Sequence, residues 1–183
     1  MESLGTGTTG SRMANGSYAS HGQLEAELAD FFQCEHAMVF STGYAANLGV
    51  LTALLVKDDA VLLDSDAHAS LYDGCRMSGA DIYRFKQNDR DSLEKRLVRL
   101  SERSKRCLIV MEGMYSVLGY CAPLAQLVPL KERFGAKLLV DEAHSLGVLG
   151  EHSRGLAEEA GVEDEVDFVV GTEDESAVTD RDE

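Results

Sequence analysis

From residue 37 onward, short runs of consecutive apolar residues alternate with stretches in which apolar residues recur every three or four positions. The first kind reads as strand, over 37–40, Ala60–Asp64, Asp81–Phe85, Cys107–Glu112, Lys137–Asp141 and 166–171. The second reads as helix, near 22–32, 44–55, 70–78, 90–100 and Leu124–Phe134. In the first of these helices Leu24, Leu28, Phe31 and Phe32 share one face. In the fourth, Asp91 or Asn88 is placed to cap the turn that leads into Leu93, Leu97 and Leu100. Strands such as Leu108-Ile109-Val110 and Leu138-Leu139-Val140 show no polar alternation, so both of their faces must be covered. The pattern therefore predicts an α/β fold, a mostly parallel sheet covered by helices. In such sheets ligands sit beyond the carboxyl ends of the strands. The residues to examine are those from Asp64, Glu112, Asp141 and Gly171 onward.

The two ends differ from the middle. Residues 1–15 are rich in Gly, Ser and Thr, and 1–20 is expected to be an N-terminal loop segment. Residues 173–183 hold six acids against Arg181, a local charge of −5, and read as a solvated, disordered tail. Between them, 21–172 is expected to be one domain with its own core.

A net charge of −15 over 183 residues argues against nucleic acid and against an anionic membrane surface as partners. The four cysteines form no C-x-x-C pair and no zinc spacing, and no metal is expected. The first ten residues lack a secretory pattern, so reduced thiols and a cytoplasmic location are expected. The longest apolar stretch, 48–56, is far short of the roughly 20 residues that span a bilayer, so no transmembrane segment is expected.

Three strand-end segments carry candidate chemistry. Strand Lys137–Asp141 runs into Asp141-Glu142-Ala143-His144-Ser145. An acid at the tip of a buried strand is costly without a positive partner. A protonated heterocyclic nitrogen would be such a partner, and His144 could donate to an oxygen on the same ring. A capping Asp with a surface His is the other reading of these residues. The same letters occur in helicases, but that reading needs a phosphate loop, and Gly5-Thr6-Gly7-Thr8-Thr9-Gly10-Ser11-Arg12 lacks its lysine. In Asp64-Ser65-Asp66-Ala67-His68-Ala69-Ser70, His68 could lie flat over an aromatic ring or stand exposed in a capping loop. In Ser41-Thr42-Gly43-Tyr44, Gly43 opens a helix whose free N–H groups suit a phosphate, and Tyr44 offers a flat face.

Taken in order, these segments, with Glu112-Gly113-Met114-Tyr115-Ser116 and Asp167-Phe168-Val169-Val170-Gly171-Thr172, resemble the α-oxoamine synthase family of fold-type I pyridoxal 5'-phosphate (PLP) enzymes. Within it, the serine palmitoyltransferase branch is the most similar. The resemblance implies that 21–172 is an incomplete large, PLP-binding domain. It implies that His68 stacks on the pyridine ring, Asp141 pairs with the ring nitrogen and His144 bonds the phenolic oxygen. Gly43, Tyr44 and Thr172 would lie at the phosphate, and Ser116 would line the pocket. It further implies condensation of a small amino acid, serine, with an acyl-CoA with loss of CO2, as in the first step of sphingolipid synthesis. A homodimer, or pairing with a full-length relative, is implied too.

The chain also departs from that family. Where the family carries the lysine that holds the cofactor covalently stands Glu175, which can form no Schiff base. Lys137 precedes Asp141 by four residues, roughly 13 Å along a strand, at its wrong end. Lys57, Lys86, Lys95, Lys105 and Lys131 are expected outside the site. Tyr120 stands where close relatives usually carry Asp. The family's N-terminal arm and its C-terminal domain, with its carboxylate-binding arginine, have no counterpart here. The expectation is a chain inactive alone; a non-catalytic partner subunit or a fragment of such an enzyme is the alternative.

Overall fold

A computed structural model describes residues 10–102, 106–117, 119–173 and 175–180, with the side chains of residue 173 and of 175–180 not described. Residues 1–9, Lys105 and Glu175's side chain, which figure in the expectations above, lie outside it. The strands are β1 (His36–Phe40), β2 (Ala60–Asp64), β3 (Asp81–Phe85), β4 (Cys107–Glu112), β5 (Lys137–Asp141), β6 (Phe168–Glu173) and β7 (Glu175–Asp180). The helices are α1 (Arg12–Asn15), α2 (Ala19–Phe32), α3 (Gly43–Leu54), α4 (Ala69–Ser78), α5 (Arg90–Ser101), α6 (Leu124–Phe134) and α7 (Leu156–Glu159).

The strands form one sheet in the order β1-β7-β6-β5-β4-β2-β3. β2, β3, β4, β5 and β6 pair in parallel. β7 pairs antiparallel with both β1 and β6, so it alone runs against the others. The carboxyl ends of β1 to β6 therefore meet at one edge. The sheet is the mostly parallel, helix-covered one that the apolar runs predict.

Three local expectations need correction. Part of the N-terminal loop segment is helical: Arg12–Asn15 forms one turn, tied down by Arg12, which donates to Glu25 at 2.6 Å and to the Val39 carbonyl at 3.1 Å. α2 then starts at Ala19, inside the segment expected to be loop. The acidic tail was expected to be disordered, yet its backbone forms β7 over Glu175–Asp180. The physical reason is that a strand between β1 and β6 satisfies the backbone groups of two edges at once, which charge counting does not register. Finally, α5 is capped by neither Asp91 nor Asn88 but by Asp89, whose carboxylate accepts the Ser92 N–H at 2.9 Å. Asn88 instead takes the left-handed backbone that reverses the chain, φ 53°.

Alternation along each strand sends side chains into two cores. On one face Leu62, Ile109, Met111, Leu138 and Val140 pack with Leu93, Leu97, Leu127 and Leu156 from α5, α6 and α7, and with Phe32 of α2. On the other, Val61, Leu63, Val110, Leu139 and Val170 pack with Val50, Leu51, Leu71 and Cys75 of α3 and α4. α3 and α4 approach each other at Gly74, where a Cβ would come within 2.8 Å of Leu51 and 3.0 Å of the Asn47 carbonyl. A methyl there must push the helices apart. We expect Gly74→Ala to lower stability by about 1–2 kcal/mol even after the gain in helix propensity. Gly22→Ala, in open space on α2, should raise it by about 0.5–1 kcal/mol. Urea unfolding midpoints of the two variants check both signs.

Candidate active site at the carboxyl edge of the sheet

Period-two alternation decides which strand-end acids share a pocket. In β4, Val110 faces the α3/α4 core, and so does Glu112 two residues on. In β5, Leu139 faces it, and so does Asp141. Glu112 and Asp141 stand directly opposite each other in register. Asp64 ends β2 in the other phase, since Leu62 belongs to the opposite core.

Asp141 is 5% exposed. Its carboxylate accepts the Asn47 side-chain N–H at 2.8 Å and the Ala143 N–H at 3.1 Å. Burial pushes its pKa up; those two hydrogen bonds and the fields of His68 and His144 pull it back in part. Glu112 is 3% exposed. One of its oxygens accepts the His68 backbone N–H at 2.5 Å, and the other has no hydrogen-bond partner. Burial, and then the neighbouring charge of Asp141, push Glu112 up to about 7, against the pull of the His68 and Ser116 N–H groups.

His68 serves as N-cap of α4. Its Nδ1 accepts the Ser70 N–H at 3.3 Å and lies 2.7 Å from the Ser70 hydroxyl. A backbone N–H can only donate, so in that contact Nδ1 is the acceptor. The ring itself is exposed at the sheet edge. His68 is therefore at once the helix cap and the exposed imidazole beside Asp141.

The remaining candidates lie along the same edge. His144 is exposed in the turn after β5, within electrostatic reach of Asp141. Ser116 is exposed in the turn after β4, its N–H directed at Glu112. The Thr172 hydroxyl donates to the Ala143 carbonyl at 3.5 Å, which sets the end of β6 against the turn holding His144. Gly43 opens α3, and Thr42 caps it by accepting the Ala45 N–H at 3.1 Å. Tyr44 is half-exposed and donates to Asp73 of α4 at 2.8 Å. His68, Asp141 and His144 thus form the centre, with Ser116 and Thr172 beside it and Gly43 and Tyr44 at the helix end.

Several residues to which the sequence reading gave no role hold this centre together. Asn47 is 2% exposed and bridges Asp141 to Ser70, donating to the Ser70 hydroxyl at 3.0 Å. A polar amide in an otherwise apolar helix was the available signal. Glu112, a charge closing a fully apolar run, was another. Glu142 is fully buried and accepts the N–H groups of Leu156 and Ala157 at 3.1 and 2.8 Å and the Ser145 hydroxyl, anchoring α7 beneath the turn. Gly113 lies against this carboxylate, where a Cβ would collide with it.

The lysines on neighbouring elements are engaged elsewhere. Lys137 and Lys131 each lie 3.0 Å from Asp167, at the amino end of β5 opposite Asp141. Lys86 follows β3, the outermost strand. Among the described residues no helix is long and apolar enough to cross a membrane.

A family model described as aminotransferase class I and II matches residues 2–173. A serine palmitoyltransferase from Caulobacter vibrioides is 56% identical over 172 residues, which cover 94% of this chain and 43% of that protein. An 8-amino-7-oxononanoate synthase from Geotalea daltonii is 43% identical over 172 residues, covering 94% of this chain and 44% of that protein. The solved structure of a serine palmitoyltransferase from S. paucimobilis with a bound PLP–myriocin aldimine superposes with a TM-score of 0.93 at 45% identity, covering 99% of this chain and 47% of that one. The chain thus spans less than half the length of the relatives it matches.

Glu112 makes stability depend on pH with a definite sign. Its folded pKa lies near 7, above its ordinary 4.5. Between those values the folded chain holds a proton that the unfolded chain releases, so stability falls as pH rises through about 7 and recovers toward 4.5. Glu112→Gln removes the charge and keeps an oxygen for the His68 N–H. The melting temperature of the variant, relative to the parent, should climb between about pH 4.5 and pH 7 and level off above that.

Proposed function

The chain belongs to the aminotransferase class I and II family, and from that premise we propose that it is the ring-binding core of a PLP-dependent α-oxoamine synthase of the serine palmitoyltransferase branch. The carrying observation is the buried carboxylate of Asp141, near two exposed imidazoles and, among the described residues, paired with no side-chain cation in hydrogen-bonding distance. Its raised pKa marks an anion held in a poorly solvating place. A flat heterocycle with a protonated nitrogen would relieve that cost.

In this reading Asp141 receives the ring nitrogen and keeps it protonated. His68 covers one face of the ring, and its Nδ1 bond to Ser70 fixes the plane of the imidazole. His144 is placed to hydrogen-bond the ring oxygen, and Ser116 lines the pocket. The N–H groups at the start of α3, at Gly43 and Tyr44, take the phosphate together with Thr172. The bound cofactor supplies an electron sink for a carbanion on the amino acid. The protein's share is to hold the proton on the nitrogen and keep the ring's orientation.

Substrates follow from the relatives: serine or another small amino acid, and an acyl-CoA, joined with loss of CO2 at the entry to sphingolipid synthesis. The homodimeric state and cytoplasmic location belong to the same proposal. Glu175 occupies the position of the covalent lysine in that family, so the chain by itself is proposed to bind the cofactor reversibly and to be inert in the condensation. Pairing with a full-length relative would supply the missing lysine.

Titrating the chain with PLP and following its absorbance tests the reading. Asp141→Asn should weaken binding about tenfold or more, the scale of losing one charge-assisted hydrogen bond. His68→Ala should weaken it by a comparable factor. Borohydride treatment followed by peptide mass should find no specific lysine adduct. Binding indifferent to both substitutions would reject the assignment.

A further inference from the structure

The centre contains an unbroken hydrogen-bonded chain between its two principal side chains. From Asp141 Oδ2 it runs 2.8 Å to Asn47 Nδ2, then 3.0 Å to Ser70 Oγ, then 2.7 Å to His68 Nδ1. Asn47 and Ser70 are 2% and 1% exposed, so water does not substitute for either link. At the two Asn47 links the direction is determined. Asp141 and Ser70 Oγ both accept from the same amide nitrogen, whose two N–H groups are thereby used. Turning the amide over would set its oxygen against a carboxylate. The Ser70 oxygen accepts from Asn47, and the same hydroxyl lies 2.7 Å from His68 Nδ1, the last link of the chain. Asn47 Oδ1 is left without a partner, so the amide keeps this orientation at the expense of an unsatisfied buried acceptor.

We propose that Asn47 and Ser70 are positioning residues that couple the plane of the His68 ring to the carboxylate of Asp141. This deepens the cofactor reading above and rests on it for its purpose: the group covering the ring and the group holding its nitrogen are set together from α3 and α4, before any ligand arrives. Neither residue touches the reacting atoms. Their effect is to hold the plane of the His68 ring and the orientation of the Asp141 carboxylate.

The coupling is readable in the full chain without cofactor. Asn47 does not bond the His68 ring, and Ser70 does not bond Asp141, so each variant is read at the remote group. Ring ¹⁵N and carboxyl ¹³C NMR titrations report His68 and Asp141 separately. Asn47→Ala frees the Ser70 hydroxyl to rotate and loosens its contact with Nδ1, and should move the ¹⁵N resonances of the His68 ring. Ser70→Ala removes the acceptor that steadies Asn47 and should raise the Asp141 midpoint. Ser70→Thr, which keeps the hydroxyl, should restore the parent value. A general loosening of the fold would not be rescued in this way.

If Asn47→Ala does not fold, the Ser70→Ala measurement at Asp141 decides alone. His68 resonances and an Asp141 midpoint unchanged in whichever variants fold would overturn the coupling. PLP titration of the parent separates the two claims. A parent that fails to bind PLP but shows the remote shifts would sink the cofactor reading and keep the relay; a parent that binds without them would do the reverse.

Discussion

A carboxylate placed at the inner end of a covered strand loses most of its hydration, and the chain around Asp141 is arranged to answer that loss. Two N–H donors meet it directly, and two imidazoles face it from adjoining turns. Remove the acid and Asn47, which is buried in α3, loses the acceptor that orients it. Ser70 then loses the donor that holds its hydroxyl beside His68. The same few atoms thus fix the register of α3 and α4 over the sheet and the geometry of the site above it.

Glu112 raises the electrostatic load. It faces Asp141 across one rung of the β4–β5 ladder, and the two acids disfavour each other's ionised form. Its bond to the His68 N–H fixes the start of α4, so the loop carrying the imidazole is held from below by an acid and from the side by Ser70. An arrangement that places like charges side by side under exposed imidazoles serves stability poorly. It is suited to receive a cation. Glu142, one residue past Asp141, points into the opposite core and does structural work, closing α7 against the turn. Successive acids in one tripeptide therefore serve different ends, separated only by which face of the sheet each reaches.

Much of this was legible in the residues. The apolar runs of β2, β4 and β5 mark those strands to the residue, because a strand covered on both sides admits no polar alternation. His68, Asp141 and His144 stand out because polar groups at the carboxyl ends of such strands line the ligand crevice. The parts that escaped notice depend on partners distant in sequence. Asn47 lies 94 positions from Asp141, and nothing near it in the chain distinguishes an amide awaiting a carboxylate from one facing water. The acidic stretch at 175–180 looked unfit for any element, yet its backbone pairs with strands on both sides.

The sequence by itself determined the fold class, the strands at the centre of the sheet and the edge at which chemistry would collect, because periodicity and strand ends are local properties of the chain. Which acids share a pocket and how Asn47 and Ser70 connect His68 to Asp141 were decided only by the tertiary structure. Those depend on strand register and helix packing, which bring together side chains that no spacing rule relates.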